Sequence, residues 1–245
     1  MAVNTYGLRE VSNLTFYSLT TNKPFLYMDY ALTSTNEHSM ETVYAKGGQG
    51  SPKRIGFDGN KESTLVISSQ IIDWRFISLL SGATVTTGSA NIFKREELVA
   101  AEDTGVKITL SATPVADTVY VFPLTNDAVA GEDETITVSG TTVTITSGVD
   151  GTTYVAYYQA ATAATAEKIS FDSDVFPTTC KIIGDTLIKN EATGNNESFQ
   201  MIAYKAKPMG NFSIVQSSEG EPTTLEITFD LLADSNNQMI DYIKY

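Results

Sequence analysis

Thr135-Ile-Thr-Val-Ser-Gly-Thr-Thr-Val-Thr-Ile145 decides the fold class. β-Branched residues alternate along Thr135–Val138 and again along Thr142–Ile145, with the turn formers Ser139-Gly-Thr141 between them, which predicts two short strands joined tightly. The pattern continues outward: Val106–Leu110, Thr118–Phe122 and Thr153–Tyr158 alternate in the same way, and Val149-Asp-Gly151 supplies another turn. From Thr104 to Thr165 the only base is Lys107, set against Asp117, Asp127, Glu132, Asp133, Glu134 and Asp150, whereas the flanks hold nearly all the Lys and Arg. The stretch reads as a small β domain, residues 104–165, set into a larger host formed by residues 1–103 and 166–245. Five strands at this spacing predict an immunoglobulin-like sandwich.

The host is also predicted to be mainly β. Leu14–Leu19 and Phe25–Leu32 flank the turn residues of Thr20–Pro24, a β-hairpin pattern. Thr33–Arg54 contains Gly47-Gly-Gln-Gly50 and Ser51-Pro52 and lacks sustained periodicity, so it reads as a long loop of the kind that is functional or disordered. Asp58-Gly-Asn60 reads as a turn before the strand Ser63–Ser68. Ile71, Ile72, Trp74, Ile77, Leu79 and Leu80 then fit one helix, with Ser69 as its cap, Gly82 as its end and Trp74 as the aromatic anchor packing it on a sheet. Lys94–Glu97 is a charged strand or loop closing the first host segment, and Ala160–Ala166 is a linker. Strands are then expected at Lys168–Phe171, Cys180–Ile183, Thr186–Lys189, Ser198–Tyr204, Asn211–Gln216 and Thr223–Leu232, separated by Gly184-Asp185, Gly194–Asn196, Pro208–Gly210 and Gly220–Pro222. The apolar, aromatic Asn237–Tyr245 is expected to dock.

Composition excludes several functions. With 29 Asp and Glu against 16 Lys and Arg, the net charge of −13 opposes any surface built to grip phosphates. The first residues show no basic and apolar export leader, and no apolar run approaches the roughly 20 residues that cross a bilayer. The single cysteine, Cys180, forbids an intrachain disulfide and reads as a buried thiol. His38 is the only histidine, so any catalytic triad would have to form around it and a two-histidine metal site is impossible; in the long loop it is expected to be solvated. Glu132–Glu134 and Asp172–Asp174 lack the spacing of a defined calcium loop, and no phosphate-binding glycine loop is present. No catalytic, cofactor-binding or metal-ligating residue is assigned, and no cofactor is expected.

Lys53-Arg-Ile-Gly-Phe-Asp-Gly-Asn-Lys61, the helix ending Leu79-Leu-Ser-Gly82, Phe176-Pro177, Ile183-Gly-Asp-Thr186, Glu191-Ala-Thr-Gly194 with Ser198-Phe-Gln200, Lys205-Ala-Lys207 and Phe229-Asp-Leu-Leu232 occur in the order seen in tail tube proteins of tailed bacteriophages, which the chain resembles. The resemblance covers most of the host and none of the insertion. It implies a β-sandwich or rolled β-barrel with one flanking helix, built into homohexameric rings that stack into a tube. DNA passes through such a tube without specific binding. Other tail proteins are the further partners, no membrane is involved, and the protein would be made in the host cytoplasm and reside in the virion tail. It also implies a structural role without catalysis, with an inserted immunoglobulin-like domain on the tube's outside. The long loop, through Glu41, Tyr44, Lys46, Gly47, Gly48, Gln49 and Gly50, is then expected to reach an adjacent ring. Two rivals are a receptor- or carbohydrate-binding virion module and a hydrolase using an acidic pair.

Overall fold

A computed structural model describes residues 5–214, 218, 220 and 222–245. The described elements in chain order are β1 (Tyr6–Leu8), β2 (Asn13–Ser18), β3 (Pro24–Met28), β4 (Thr33–Lys46), β5 (Lys53–Ser69), α1 (Trp74–Ser81), β6 (Thr86–Thr87), β7 (Asn91–Val99), β8 (Ala101–Glu102) and β9 (Val106–Thr109). After them come β10 (Tyr120–Pro123), β11 (Ile136–Ser139), β12 (Thr142–Ile145), β13 (Thr153–Ala161), β14 (Glu167–Lys168), β15 (Cys180–Asn190), β16 (Asn196–Pro208), β17 (Leu225–Leu231) and β18 (Ile240–Lys244). The fold is mainly β, as the alternating patterns predict. The chain divides into two compact units, Met1–Val85 with Ile169–Tyr245, and Thr86–Lys168.

In the first unit a nine-stranded antiparallel sheet runs β3-β2-β15-β16-β17-β5-β4, with β1 added on β15 and β18 on β16. Three strand spacings of about 4.8 Å separate β2 from β17 in a flat sheet, roughly 14 Å. Yet the rings of Phe16 and Phe229 on those strands lie with centroids 5.9 Å apart. The sheet is therefore rolled upon itself, so that alternate side chains such as Leu14, Phe16, Ile67, Ile182, Ile227 and Phe229 share one core. Helix α1 packs into this core through Phe76, whose ring lies 6.1 Å from Phe16.

Several sequence readings need correction in this unit. The supposed loop Thr33–Arg54 is a strand, a tight tip and the start of a second strand, because Thr42–Tyr44 and Ile55–Phe57 are good strand residues flanking Gly47–Pro52. Asp58-Gly-Asn60 is no turn: β5 runs through it, with Asp58 opposite Thr42 and Gly59 opposite Glu41, and a bulge follows at Asn60-Lys61 opposite Met40, where Asn60 takes φ 47°. Gly184-Asp185 interrupts nothing, since β15 runs through it. A β-carbon on Gly184 would sit 3.1 Å from both Leu14 Cδ2 and Met201 Cε, so close packing between strands accounts for the glycine.

The helix is shorter than its apolar pattern. Asp73, not Ser69, is the N-cap, its carboxylate accepting from the Arg75 amide at 2.7 Å, and Gly82 ends the helix with φ 73°. Trp74 is not the core anchor: it occupies the first helical turn and is half exposed, while Phe76 and Leu80 fill the interior. Of the last expected strands, Lys168–Phe171 shrinks to the short β14, and Asn211–Ile214 form none. Val215 and Gln216, and Glu221 of the expected turn, lie outside the described residues. The carboxyl-terminal segment docks, with β18 paired to β16 from Phe199 to Ala203.

The second unit contains sheets β10-β13-β7 and β11-β12-β9-β8. Val121, Tyr154, Ala156 and Tyr158 from one and Ile108, Val143 and Ile145 from the other share a separate core, an arrangement of two packed sheets. Strand β7, which the sequence reading assigned to the host, pairs with β13 along its whole length, so this unit begins at Thr86 and not at Thr104. Ala160 and Ala161 close β13 and are not linker. The unit starts and ends on neighbouring strands, Thr86 being the ladder partner of Lys168.

Candidate assembly surface

Strand β17 pairs with β5 only from Thr64 to Ser69. Beyond that point β4 and β5 continue as a two-stranded ribbon, and every residue from Lys53 to Glu62 is exposed. The root of this arm is fixed by His38. Its Nδ1 lies 2.7 Å from Ser63 Oγ and its Nε2 2.9 Å from the Tyr242 hydroxyl, while Tyr242 itself stacks on Phe199 at 5.8 Å. The histidine is exposed, as expected, and is also bonded on both nitrogens. From Ser39 to Lys46, at about 3.4 Å per residue, the arm extends roughly 25 Å past its root.

Sequence alternation gives the ribbon two unlike faces. Val43 stands opposite Phe57 and Ala45 opposite Ile55, which places four apolar side chains on one face. Val43, Ile55 and Phe57 are 68%, 57% and 60% exposed. The other face is polar, with Thr42 donating to Asp58 at 2.8 Å and Lys53 Nζ 3.9 Å above the Tyr44 ring. Gly56 is held between them: a β-carbon there would meet Thr42 and Tyr44 at 3.2 and 3.3 Å.

The tip is braced internally. Arg54 Nε donates to the Gly47 carbonyl at 2.9 Å, and Gly48 and Gly50 take φ 92° and 82°, conformations that favour glycine. Glu41 accepts from Asn60 Nδ2 at 2.7 Å beside the bulge. The sequence-derived residues Glu41, Tyr44, Lys46, Gly47, Gly48, Gln49 and Gly50 thus fall on one projecting arm, with Glu41, Tyr44 and Lys46 on β4 and the rest at its tip. Trp74 is elsewhere, at the start of α1. Sequence reasoning missed Val43, Ile55 and Phe57, whose alternation across the tip was the available signal.

The outer edges of β3 and β4 pair with no further strand among the described residues. On β3, Phe25 and Tyr27 are exposed. At the opposite side of β16, Lys244 of β18 bonds both Glu197 Oε2, at 2.9 Å, and the Tyr6 hydroxyl, at 2.8 Å. Hydrogen bonds from Lys244 and Asn190 hold the Glu197 carboxyl below its usual range.

Pockets offer little chemistry. A cleft of about 460 Å³ beside α1 is lined by Arg75, Ser78, Thr178, Thr179 and Cys180, with no carboxylate or imidazole among its lining residues. Burial pushes the Cys180 thiol up to about 12, so it is protonated at neutral pH. No group of three or more His, Cys, Asp and Glu suited to a metal occurs among the described residues. No described helix is long and apolar enough to cross a membrane.

In the second unit, partial burial raises the Glu96 carboxyl. Hydrogen bonds from the Ser111 side chain and amide, Lys94 and Tyr158 outweigh it and hold the group at about 2. Arg95 likewise bonds Asp127 at 2.6 Å and Glu97 at 2.8 Å, with Tyr157 donating to Asp127. The Lys94–Glu97 cluster, read as a charged strand or loop closing the first host segment, is a network of ion pairs and hydrogen bonds on β7 of the second unit.

The family model described as the YomU/Tube protein family matches residues 6–245 of the chain. None of the curated proteins matches it.

Proposed function

Because the chain belongs to the YomU/Tube protein family, whose name points to a phage tube-type structural protein, we propose that it is a tail tube subunit. Copies close into hexameric rings, the rings stack into a hollow tube, and the tube conducts DNA without gripping it specifically. The subunit does no catalysis. Its assembly takes place in the host cytoplasm and its place is the virion tail, beside other tail proteins.

The observation that carries this reading is the pair of open strands at the two ends of one rolled sheet, β3 and β4. An open edge is an aggregation hazard in a monomer, and a closed cyclic assembly turns it into cohesion. The negative charge supports a conduit whose wall repels DNA. The second unit is an immunoglobulin-like passenger on the tube's outer surface, and the β4–β5 arm reaches from one ring to the next. Electron microscopy of the concentrated protein is expected to show rings or tubes with a central hole. A strictly monomeric species at high concentration overturns the reading.

A further inference from the structure

Two exposed segments of the first unit are complementary in charge and in apolar character, and neither is covered by another segment among the described residues. The first is the arm. Lys46, Lys53 and Arg54 stand at its tip with no Asp or Glu from Thr42 to Phe57, in a chain that has 29 acidic residues to 16 basic ones. Among the described residues, none of the three forms an ion pair. The Nε of Arg54 is engaged with Gly47, which fixes the guanidinium at the tip.

The second segment is Phe171-Asp-Ser-Asp-Val-Phe176, which has no Lys or Arg from Ile169 to Cys180. Phe171 and Phe176 are 60% and 74% exposed, and Asp172 and Asp174 are exposed without an ion-pair partner among the described residues. The segment is nonetheless held in place. Its backbone at Phe176 rests directly on Gly82, and the Phe171 ring contacts Phe212 with centroids 5.6 Å apart. It therefore presents two phenylalanines and two carboxylates on an anchored backbone.

We infer that the arm of one copy docks on the Phe171–Phe176 segment of a second copy, with Val43, Ile55 and Phe57 covering the phenylalanines and the two cations of the tip reaching round its edge to Asp172 and Asp174, Arg54 from its place beside Gly47 and Lys53 by leaving the Tyr44 ring. A two-stranded ribbon is marginal by itself in water, so an arm with an open apolar face gains its stability from whatever covers it. A polynucleotide would satisfy the cations and leave that apolar face wet; an acidic surface studded with aromatic side chains satisfies both. Everything outside the arm is more acidic than the chain's net −13, so a second copy has the required charge. The two surfaces differ, which makes the contact head-to-tail. Such contacts propagate into rings or open filaments and do not stop at a dimer. This inference rests on the tube reading and gives its inter-ring contact a chemistry.

The test compares assembly of the full chain by sedimentation across a concentration series, with electron microscopy of the products. Lys53→Glu with Arg54→Glu, and separately Asp172→Lys with Asp174→Lys, are each expected to raise the half-assembly concentration about tenfold. The chain carrying all four changes is expected to return to within about threefold of the unaltered protein, because the swapped charges again match. Chemical denaturation of each variant distinguishes lost folding from lost docking. Unchanged assembly in the arm variant overturns the inference and leaves the tube reading standing; failure of the four-fold variant to recover overturns Phe171–Phe176 as the receiving surface. Unchanged assembly accompanied by lost binding to a fluorescent DNA duplex reassigns the arm to nucleic acid. An unaltered protein that never assembles overturns the tube reading itself.

Discussion

Gly82 lies so close to Phe176 that a β-carbon at position 82 would stand 2.3 Å from the Phe176 carbonyl oxygen. The same glycine ends α1 in the left-handed region, with φ 73°. Conformation and space therefore both demand the missing side chain. Gly82→Ala is expected to destabilise the first unit by about 2–4 kcal/mol, combining backbone strain with overpacking. A denaturation midpoint equal to that of the unaltered protein contradicts this packing.

Phe76 and Trp74 are two positions apart on α1 and differ in consequence. Phe76 is fully buried against Phe16, whereas Trp74 is half exposed. Phe76→Ala is expected to cost about 3–5 kcal/mol. Trp74→Ala is expected to cost about 1 kcal/mol or less. Urea denaturation of the two variants side by side checks the order, and the reverse order refutes it.

The Glu96 carboxyl gives the second unit a defined acid response. Its pKa falls from the ordinary glutamate value of 4.5 to about 2 on folding. A depressed carboxyl contributes stability that is present above the higher value and lost as pH falls through the lower one. The unaltered protein is expected to lose this contribution between about pH 4.5 and 2. Glu96→Gln lacks it at every pH, so the melting temperatures of the two proteins are expected to differ at pH 7 and converge near pH 2. Parallel curves across that range, followed by calorimetry, argue against the network.

Removal of Thr86–Lys168 tests which unit holds the assembly function. Thr86 and Lys168 are antiparallel ladder partners, so their Cα atoms lie about 5 Å apart and Val85 can be joined to Ile169 with a short bridge. The shortened chain is expected to fold and to form tubes under the same conditions. Loss of assembly with a folded first unit, judged by circular dichroism and electron microscopy, places an essential contact in the removed unit.

What could be read from the sequence follows burial. The β11–β12 hairpin was legible because one face of β12 enters a core: Val143 and Ile145 are buried, Ile136 of β11 packs beside them opposite Ile145, and Gly140 takes φ 61° in the turn. The arm was illegible as a strand pair because no core constrains Glu37–Lys46, so its alternation is confined to Thr42–Ala45 and Ile55–Phe57 and is too short to mark strands of 14 and 17 residues. At Gly184 the signal misled for a different reason. Glycine marks turns, yet here it makes room for Leu14 and Met201 from neighbouring strands. Trp74 misled through its size, since the cap at Asp73 sets the helical phase and leaves that side chain outside the core. Of the candidate site, the segment was found from its length and its glycines, while its apolar face became visible only once the register placed Val43 against Phe57.

The contact between Phe16 and Phe229 also sets an order of events during synthesis. The first unit needs residues from both ends of the chain before its core can close, and such long-range closure is slow. The second unit, complete at Lys168, has all its strands available while β15 to β18 are still being translated. A nascent chain therefore carries a finished second unit before it carries a finished first one. On the tube reading, the rolled sheet whose end strands β3 and β4 would join copies is complete only once β18 has been made, so assembly follows synthesis of the last strand.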